Sequence, residues 1–287
     1  MSIFTNKDYE ALANDIIKDS FYADNSYGGK IQAERRCAEL IIRKVLKLDS
    51  NVKVTLGNHQ VVNQISSLPH HLFFENAIKV LKPFGDTNSH TGEVTPPIEE
   101  DYEKVTNGLF DMFAYLPIRF FDKYKFGSNS NIVRAFSLLP PVIRYKSLNY
   151  LYSIDSQNVC VIDKLSLAIL KTKGFDETMA WLNSHKNEFE SLKTFSDEAY
   201  DDVAAKNGED IARIIANIAP DNLYACCVDR IEKVNDLLDS NGHSYQTFEE
   251  ALPYYLQYKS TLDDSKADEK EFIDMMDFLY LGRKRNN

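Results

Sequence analysis

Apolar residues recur at intervals of three and four positions along almost the whole chain, which is the spacing of one face of an α-helix. Tyr9, Ala13 and Ile16 form such a stripe near the start, and Ile41 and Val45 continue the same spacing further along. The few strand-like runs are too short and too rare to build a sheet. The sequence therefore predicts an all-α fold.

Turn-forming residues divide this pattern into helices. Gly174 and Gly242 stand where glycine ends a helix, and Thr247 with Glu250 three positions later matches a capping box. We place the helices at about residues 6–17, 30–48, 58–68, 72–82, 97–121, 132–138, 142–152, 157–173, 176–191, 197–218, 221–239, 247–261 and 268–281.

Charge is distributed unevenly along the 287 residues, which contain 33 Lys and Arg against 43 Asp and Glu and have a net charge of −10. Residues 1–125 carry 15 basic and 17 acidic residues, whereas residues 126–287 carry 18 and 26. The small, polar segment 125–131 is typical of a linker. We therefore predict a helical bundle of residues 1–125, an acidic all-helical domain of residues 126–287, and a solvated basic end at 283–287.

The acidic balance argues against a general duplex-DNA coat, which needs clustered Lys and Arg. The four cysteines have no C-x-x-C spacing, so we expect reduced thiols, no metal site and no cofactor. No window reaches about 18 consecutive apolar residues, and the N-terminus lacks the pattern of a secretory signal. We expect a cytoplasmic protein without a membrane span.

The segment with the most evident chemistry follows Lys82, which closes one predicted helix. A glycine turn and a polar run lead from there to His90. A histidine on a loop beside a lysine transfers protons near neutral pH, and the cation stabilises charge on a phosphate. The alternative is structural: Asp86 and Asn88 cap the following turn, and His90 bonds to the backbone.

Three arginines, Arg35, Arg36 and Arg43, lie on the long helix predicted at residues 30–48. Arg36 and Arg43 are seven positions apart and share a face, with Glu39 between them. This face is either a ridge that contacts phosphate beside the histidine loop or a solvated face with a Glu39–Arg43 pair. The spacing by itself favours the solvated face.

Several pieces of the first half occur together in one known superfamily. In chain order they are Ala33–Leu40, Leu56-Gly57, Ala77-Ile78, Gly85–His90, Pro96-Pro97, and a helix with Leu109, Phe110, Phe113 and Leu116. On these pieces, residues from about 27 to 122 resemble the HEPN superfamily (higher eukaryotes and prokaryotes nucleotide-binding), in particular a less characterised branch found in bacterial defence and conflict loci.

The resemblance implies an up-and-down helical bundle. In catalytic relatives an arginine and a histidine cleave RNA without a metal, usually across a dimer interface. Here Lys82 stands at the arginine position, and Asp86 follows the glycine where an asparagine is usual. Lysine lacks the bidentate fork of arginine, and aspartate repels a phosphate.

Two functions follow from the resemblance. These departures favour a non-catalytic module that recognises RNA, or a protein partner from the same locus, in a bacterial defence or toxin-type conflict system. The alternative is a metal-independent ribonuclease in which His90, Lys82 and Arg36 are catalytic. Four further residues are then candidates for substrate binding: Arg35, Arg43, Asp86 and Asn88.

The resemblance also implies a homodimer. The predicted helix 97–121 offers Phe110, Phe113, Phe120 and Phe121 as an apolar face that a second copy would cover. The competing interpretation is that residues 126–287 fold back and cover this face within one chain.

Overall fold

A computed structural model describes residues 6–49, 51–84, 95–194, 197–220 and 222–284. Within these ranges the chain has fifteen α-helices, one π-helical segment and no β-strand, which confirms the all-α fold class. None of the helices in the described ranges combines the length and the apolar character that crossing a bilayer requires.

The helices follow one another with short connections. In chain order they are α1 (Asn6–Ile17), the π-helical segment (Lys18–Tyr22), α2 (Tyr27–Leu46), α3 (His59–Ile65), α4 (His71–Leu81), α5 (Glu99–Lys123), α6 (Ser130–Phe136), α7 (Pro141–Ile154), α8 (Val159–Lys173), α9 (Phe175–Ser184), α10 (Lys186–Glu190), α11 (Asp197–Asn207), α12 (Glu209–Ile218), α13 (Leu223–Asn241), α14 (Phe248–Lys259) and α15 (Ala267–Tyr280).

The predicted caps set several helix ends. Gly174 and Gly242 follow α8 and α13 with φ angles of 93° and 73°, a conformation that glycine adopts without strain. Thr247 and Glu250 form the predicted capping box at the start of α14. The helix predicted at 197–218 is two helices, because Gly208 has a φ angle of 92° that interrupts the α-helix.

The chain divides into two compact units, which are Met1–Ser147 with Tyr245–Asn287, and Leu148–Ser244. This division differs from the predicted boundary between residues 125 and 126, which lies inside the first unit. The reason is that the last part of the chain, including α14 and α15, packs with the N-terminal helices.

The segment predicted as a linker, residues 125–131, is packed into the first unit. Phe126 is buried, and its ring centroid lies 4.7 Å from that of Phe121. Asn129 caps α6 and donates from Nδ2 to Asp268 of α15 at 2.9 Å. The small polar composition of the segment therefore reflects a capped turn rather than a boundary between units.

The aromatic face of α5 is covered within the chain. The Phe113 ring lies 5.8 Å from that of Phe248 on α14, and the Phe120 ring lies 5.1 Å from that of Phe272 on α15. Phe113, Phe120 and Phe121 are therefore not a free dimer surface, whereas Phe110 is half-buried. The competing interpretation, in which residues after 126 cover it, describes the structure.

The prediction of a solvated basic end is wrong for Arg283. Its side chain is only 3% exposed, and its guanidinium carbon lies 4.5 Å from the ring centroids of both Phe21 and Phe248. Nη1 donates to Glu249 Oε1 at 3.2 Å. Cation–π contacts and an ion pair hold this residue inside the first unit, close to α1 and α14.

The second unit has its own core and most of the net charge. Helices α8, α9, α10 and α13 bury Ile162, Leu182, Phe189, Cys227 and Ile231 together. Residues 148–244 contain 9 Lys and Arg against 17 Asp and Glu, so this unit carries −8 of the net charge of −10. Its surface is therefore strongly acidic.

Gly108 sets the distance between α4 and α5 in the first unit. A Cβ atom at this position would lie 2.8 Å from Cδ1 of the fully buried Leu81 and 3.1 Å from Cγ1 of Val80. Carbon atoms cannot lie this close together, so the neighbouring side chains would have to move. The close packing of these two helices therefore requires glycine here.

Gly108→Ala is expected to lower the free energy of unfolding by up to about 2 kcal/mol, because overpacking costs about 1–3 kcal/mol against a gain in helix propensity of about 1 kcal/mol. Gly28→Ala in α2 is the matched control, since its Cβ would lie 3.7 Å from Pro97, an ordinary contact. Urea unfolding measures both variants. An equal gain in stability for both would contradict the close packing.

Candidate functional site

The predicted site divides into a part that the structure describes and a part that it does not. Asp86, Asn88 and His90 lie outside the described residues. The described part consists of one lysine at the end of α4 and three arginines on α2: Lys82, Arg35, Arg36 and Arg43.

Arg36 is held by two carboxylates. Nη2 donates to Asp15 Oδ2 on α1 at 3.0 Å, and Nη1 lies 3.6 Å from Asp19 Oδ2 on the π-helical segment. The Arg36 and Asp15 side chains are 47% and 63% exposed, so each ion pair stabilises the fold by about 1 kcal/mol or less. The electrostatic effect is larger for a ligand, because a phosphate approaching Arg36 meets two negative charges.

Arg43 closes the chain segment that follows α2. It donates to the carbonyl oxygens of Asp49 and Val52, the second at 2.6 Å. These carbonyls belong to the turn after α2, in which Val52 N–H also donates to the Asp49 carbonyl at 3.2 Å, so the Arg43 bonds add to those of the backbone. The position of Arg43 is thus explained by folding.

Arg36 and Arg43 line the same shallow cavity of about 170 Å³, together with Glu39. Burial raises the pKa of Glu39, and the neighbouring Arg35 and Arg36 lower it, with burial the larger effect. The shared face predicted from the spacing is therefore a mixed-charge surface, in which acidic groups lie next to each arginine.

Arg35 lies on another side of α2. Its Nη1 is 3.5 Å from Gln32 Oε1, and its Nε is buried without a hydrogen-bond partner among the described residues. Arg35 is not among the residues that line the cavity of Arg36 and Arg43. The structure thus does not gather the three arginines into one site.

Lys82 lies at the C-terminal end of α4, where a cation is favourable because helix carbonyls carry partial negative charge. Its side chain is exposed and passes next to Gly57. A Cβ atom added at Gly57 would lie 3.6 Å from Lys82 Cε. Within the described residues its ammonium group makes no ion pair or hydrogen bond that would hold it in place.

Glu34 is a buried titratable residue that the sequence pattern did not single out. Its carboxyl group is fully buried on α2, and Oε1 accepts a hydrogen bond of 2.6 Å from Thr106 on α5. Oε2 has no partner among the described residues. Burial raises the Glu34 pKa to about 8, while the Thr106 hydrogen bond and the charge of Arg283 act in the opposite direction.

Glu34 therefore stays protonated near neutral pH, as burial without a paired cation requires. Only its neighbours in space distinguish it from the exposed glutamates of other helices. A partial signal existed in the sequence, because Glu34 falls on the same stripe of α2 as Ile31, Ala38 and Ile41, which are all buried.

No set of three or more His, Cys, Asp or Glu side chains in the described part of the chain is arranged to hold a metal ion. Cys37, Cys160, Cys226 and Cys227 form no disulfide bond within the described residues. No protein-family model, curated protein or solved structure matches this chain.

Glu34→Gln is expected to change how stability depends on pH. A carboxyl group whose pKa is raised in the folded state stabilises the fold fully below its unfolded pKa of about 4.5, and this contribution is lost as the pH rises through about 8. The unfolding free energy of the wild type should fall by a few kcal/mol across this window, whereas Glu34→Gln should lack that fall.

Denaturant unfolding between pH 5 and pH 8.5 measures this difference. Glu103→Gln, at an exposed position on the same bundle, is the matched control and should keep the wild-type pH dependence. Parallel curves for Glu34→Gln and the wild type would show that Glu34 does not titrate in this way.

Proposed function

We propose that this chain is a non-catalytic recognition module that binds a protein partner in a bacterial defence or toxin-type conflict system, and that residues 27–122 form a HEPN-like bundle. The resemblance supplies the setting and the bundle. The packing of α2 and α4 along α5 is compatible with such a bundle. The observation that carries the non-catalytic assignment is the pairing of Arg36 with Asp15 and Asp19.

The pairing of Arg36 argues against phosphate binding for an electrostatic reason. A cation that stabilises a phosphate in a transition state must carry uncompensated positive charge at the reacting group. Two carboxylates within 4 Å of the guanidinium cancel that charge. Arg43 is similarly engaged, since two backbone carbonyls accept its hydrogen bonds.

The charge of the second unit favours a protein over RNA as the partner. Nucleic-acid binding derives most of its affinity from Lys and Arg that displace counterions from phosphates. Residues 148–244 have a net charge of −8, which repels a polyanion and attracts a basic protein surface.

The alternative is the metal-independent ribonuclease that uses His90 with Lys82 and Arg36. The exposed Lys82 favours it, because no ion pair in the described part of the chain neutralises this cation, which precedes His90 by eight positions. In this function His90 acts as general acid or base, and Lys82 stabilises the phosphate.

Purified full-length protein should leave a mixed RNA substrate intact in the presence of a chelator and should not retain it at about 0.15 M salt, because the acidic surface repels it. His90→Ala should behave as the wild type does. Crosslinking in the source cells, followed by mass spectrometry, should identify a protein joined to residues 148–244.

The variants separate the two functions. Cleavage by the wild type that is lost in both His90→Ala and Lys82→Ala would replace the proposal by the ribonuclease. Lys79→Ala, at another exposed lysine of α4, is the matched control and should change nothing. Retention of RNA, or the absence of any crosslinked protein, would contradict the proposed function.

A further inference from the structure

Helices α11 and α12 form a hairpin in the second unit, joined at Gly208. The two helices pack chiefly against each other. The contact is made on one side of α12, where Ala212 is fully buried. This contact does not cover the rest of the surface of α12.

The outer side of α12 carries isoleucines. Ile211, Ile214 and Ile218 are 45%, 59% and 75% exposed, and Ile215 between them is half-buried. Their spacing of three, four and seven positions aligns them along about 10 Å of the helix. We call these four residues the isoleucine face. Isolated exposed apolar residues are ordinary, but four on one ten-residue helix form a contiguous patch.

The hairpin that carries the isoleucine face is acidic. Residues 197–213 contain six Asp or Glu and two Lys or Arg. Asp210 is exposed one turn before Ile214 and pairs with Arg213 at 3.5 Å, while Asp201 and Glu209 are exposed elsewhere on the hairpin. An apolar stripe on this acidic hairpin attracts a ligand that is apolar on one side and positively charged around it.

We infer that the isoleucine face binds a basic amphipathic α-helix of a partner protein. An amphipathic helix presents apolar residues at the same spacing of three, four and seven positions, so that two such stripes pack side by side. Lysines or arginines flanking the partner's stripe are then attracted by the net negative charge of the hairpin. This inference rests on the proposed function, because it specifies the protein partner and its site.

Charge decides between this occupant and two others. A second copy of the chain would bring two acidic hairpins together, which opposes self-association. The polar side of a membrane-binding helix is usually rich in Lys and Arg, which attract anionic lipids, whereas the acidic hairpin repels them. A basic helix is the occupant that satisfies both the apolar stripe and the charge of the hairpin.

The test uses the full-length protein and two synthetic peptides of about 18 residues, with leucine at helical spacing and either lysine or glutamate at all other positions. Fluorescence anisotropy measures binding. The lysine peptide should bind, and increasing salt should weaken its binding because the acidic hairpin contributes electrostatically. The glutamate peptide should not bind. Equal binding of the two peptides, or no binding of either, would overturn the inference.

Variants locate the site. Ile214→Gln with Ile218→Gln should weaken binding of the lysine peptide by about tenfold or more, because both side chains lose apolar contact. Asp210→Asn, one turn before Ile214, should weaken it less and reduce its salt dependence. The matched control is Ile154→Gln with Leu237→Gln, which are 50% and 59% exposed in the same unit. This control should bind as the wild type does.

The remaining outcomes identify other occupants. A mass of about twice 32.9 kDa by light scattering, restored to the monomer by the Ile214 and Ile218 substitutions, would assign the face to a second copy. Sedimentation with anionic phosphatidylglycerol vesicles that these substitutions abolish would assign it to lipid. If the protein crosslinked in cells stays bound to the doubly substituted chain, the proposed function stands and this inference fails.

Discussion

The first unit depends on the contacts that the Arg283 guanidinium makes. It lies among the rings of Phe21, Phe113 and Phe248 and forms an ion pair with Glu249. Its partners come from the start of the chain, from α5 and from α14, so one side chain connects segments that are more than 200 positions apart. Its Nε and Nη2 atoms lack partners among the described residues, which makes the aromatic rings its main support. A buried cation held in this way couples the end of the chain to the folding of its beginning.

The packing of the end of the chain onto the first unit limits which of its surfaces are exposed. Because α14 and α15 cover the aromatic side of α5, the first unit does not offer that side to a second copy. Of the arginines of α2, Arg36 is paired with carboxylates that offset the charge a phosphate needs, and the donors of Arg43 are engaged by backbone carbonyls. The second unit differs in both respects, since it carries −8 of the net charge and exposes the isoleucine face. We therefore base the proposed recognition by residues 148–244 on this distribution of charge and apolar surface.

Local patterns in the sequence predicted what local interactions decide. The all-α fold, most helix positions, the glycine ends at Gly174 and Gly242 and the capping box at Thr247 depend on neighbours in the chain. The pattern failed where partners are distant. A polar, glycine-containing segment resembled a linker, although Phe126 anchors it in a core that α15 completes. Of the site, the shared face of Arg36 and Arg43 followed from helical spacing, whereas the carboxylates that hold Arg36 come from another helix and left no signal in α2.

Replacement of Arg283 tests the closure of the first unit most directly. Arg283→Ala should lower the free energy of unfolding by about 2–4 kcal/mol, because it removes the cation–π contacts and leaves the half-buried Glu249 without its cation. Lys284→Ala, at the next and exposed position, removes a single exposed cation–π contact with Tyr22 and should change it by about 1 kcal/mol or less. Denaturant unfolding of the two variants beside the wild type gives the comparison. If Arg283→Ala is as stable as Lys284→Ala, the end of the chain does not close the first unit, and the account is contradicted.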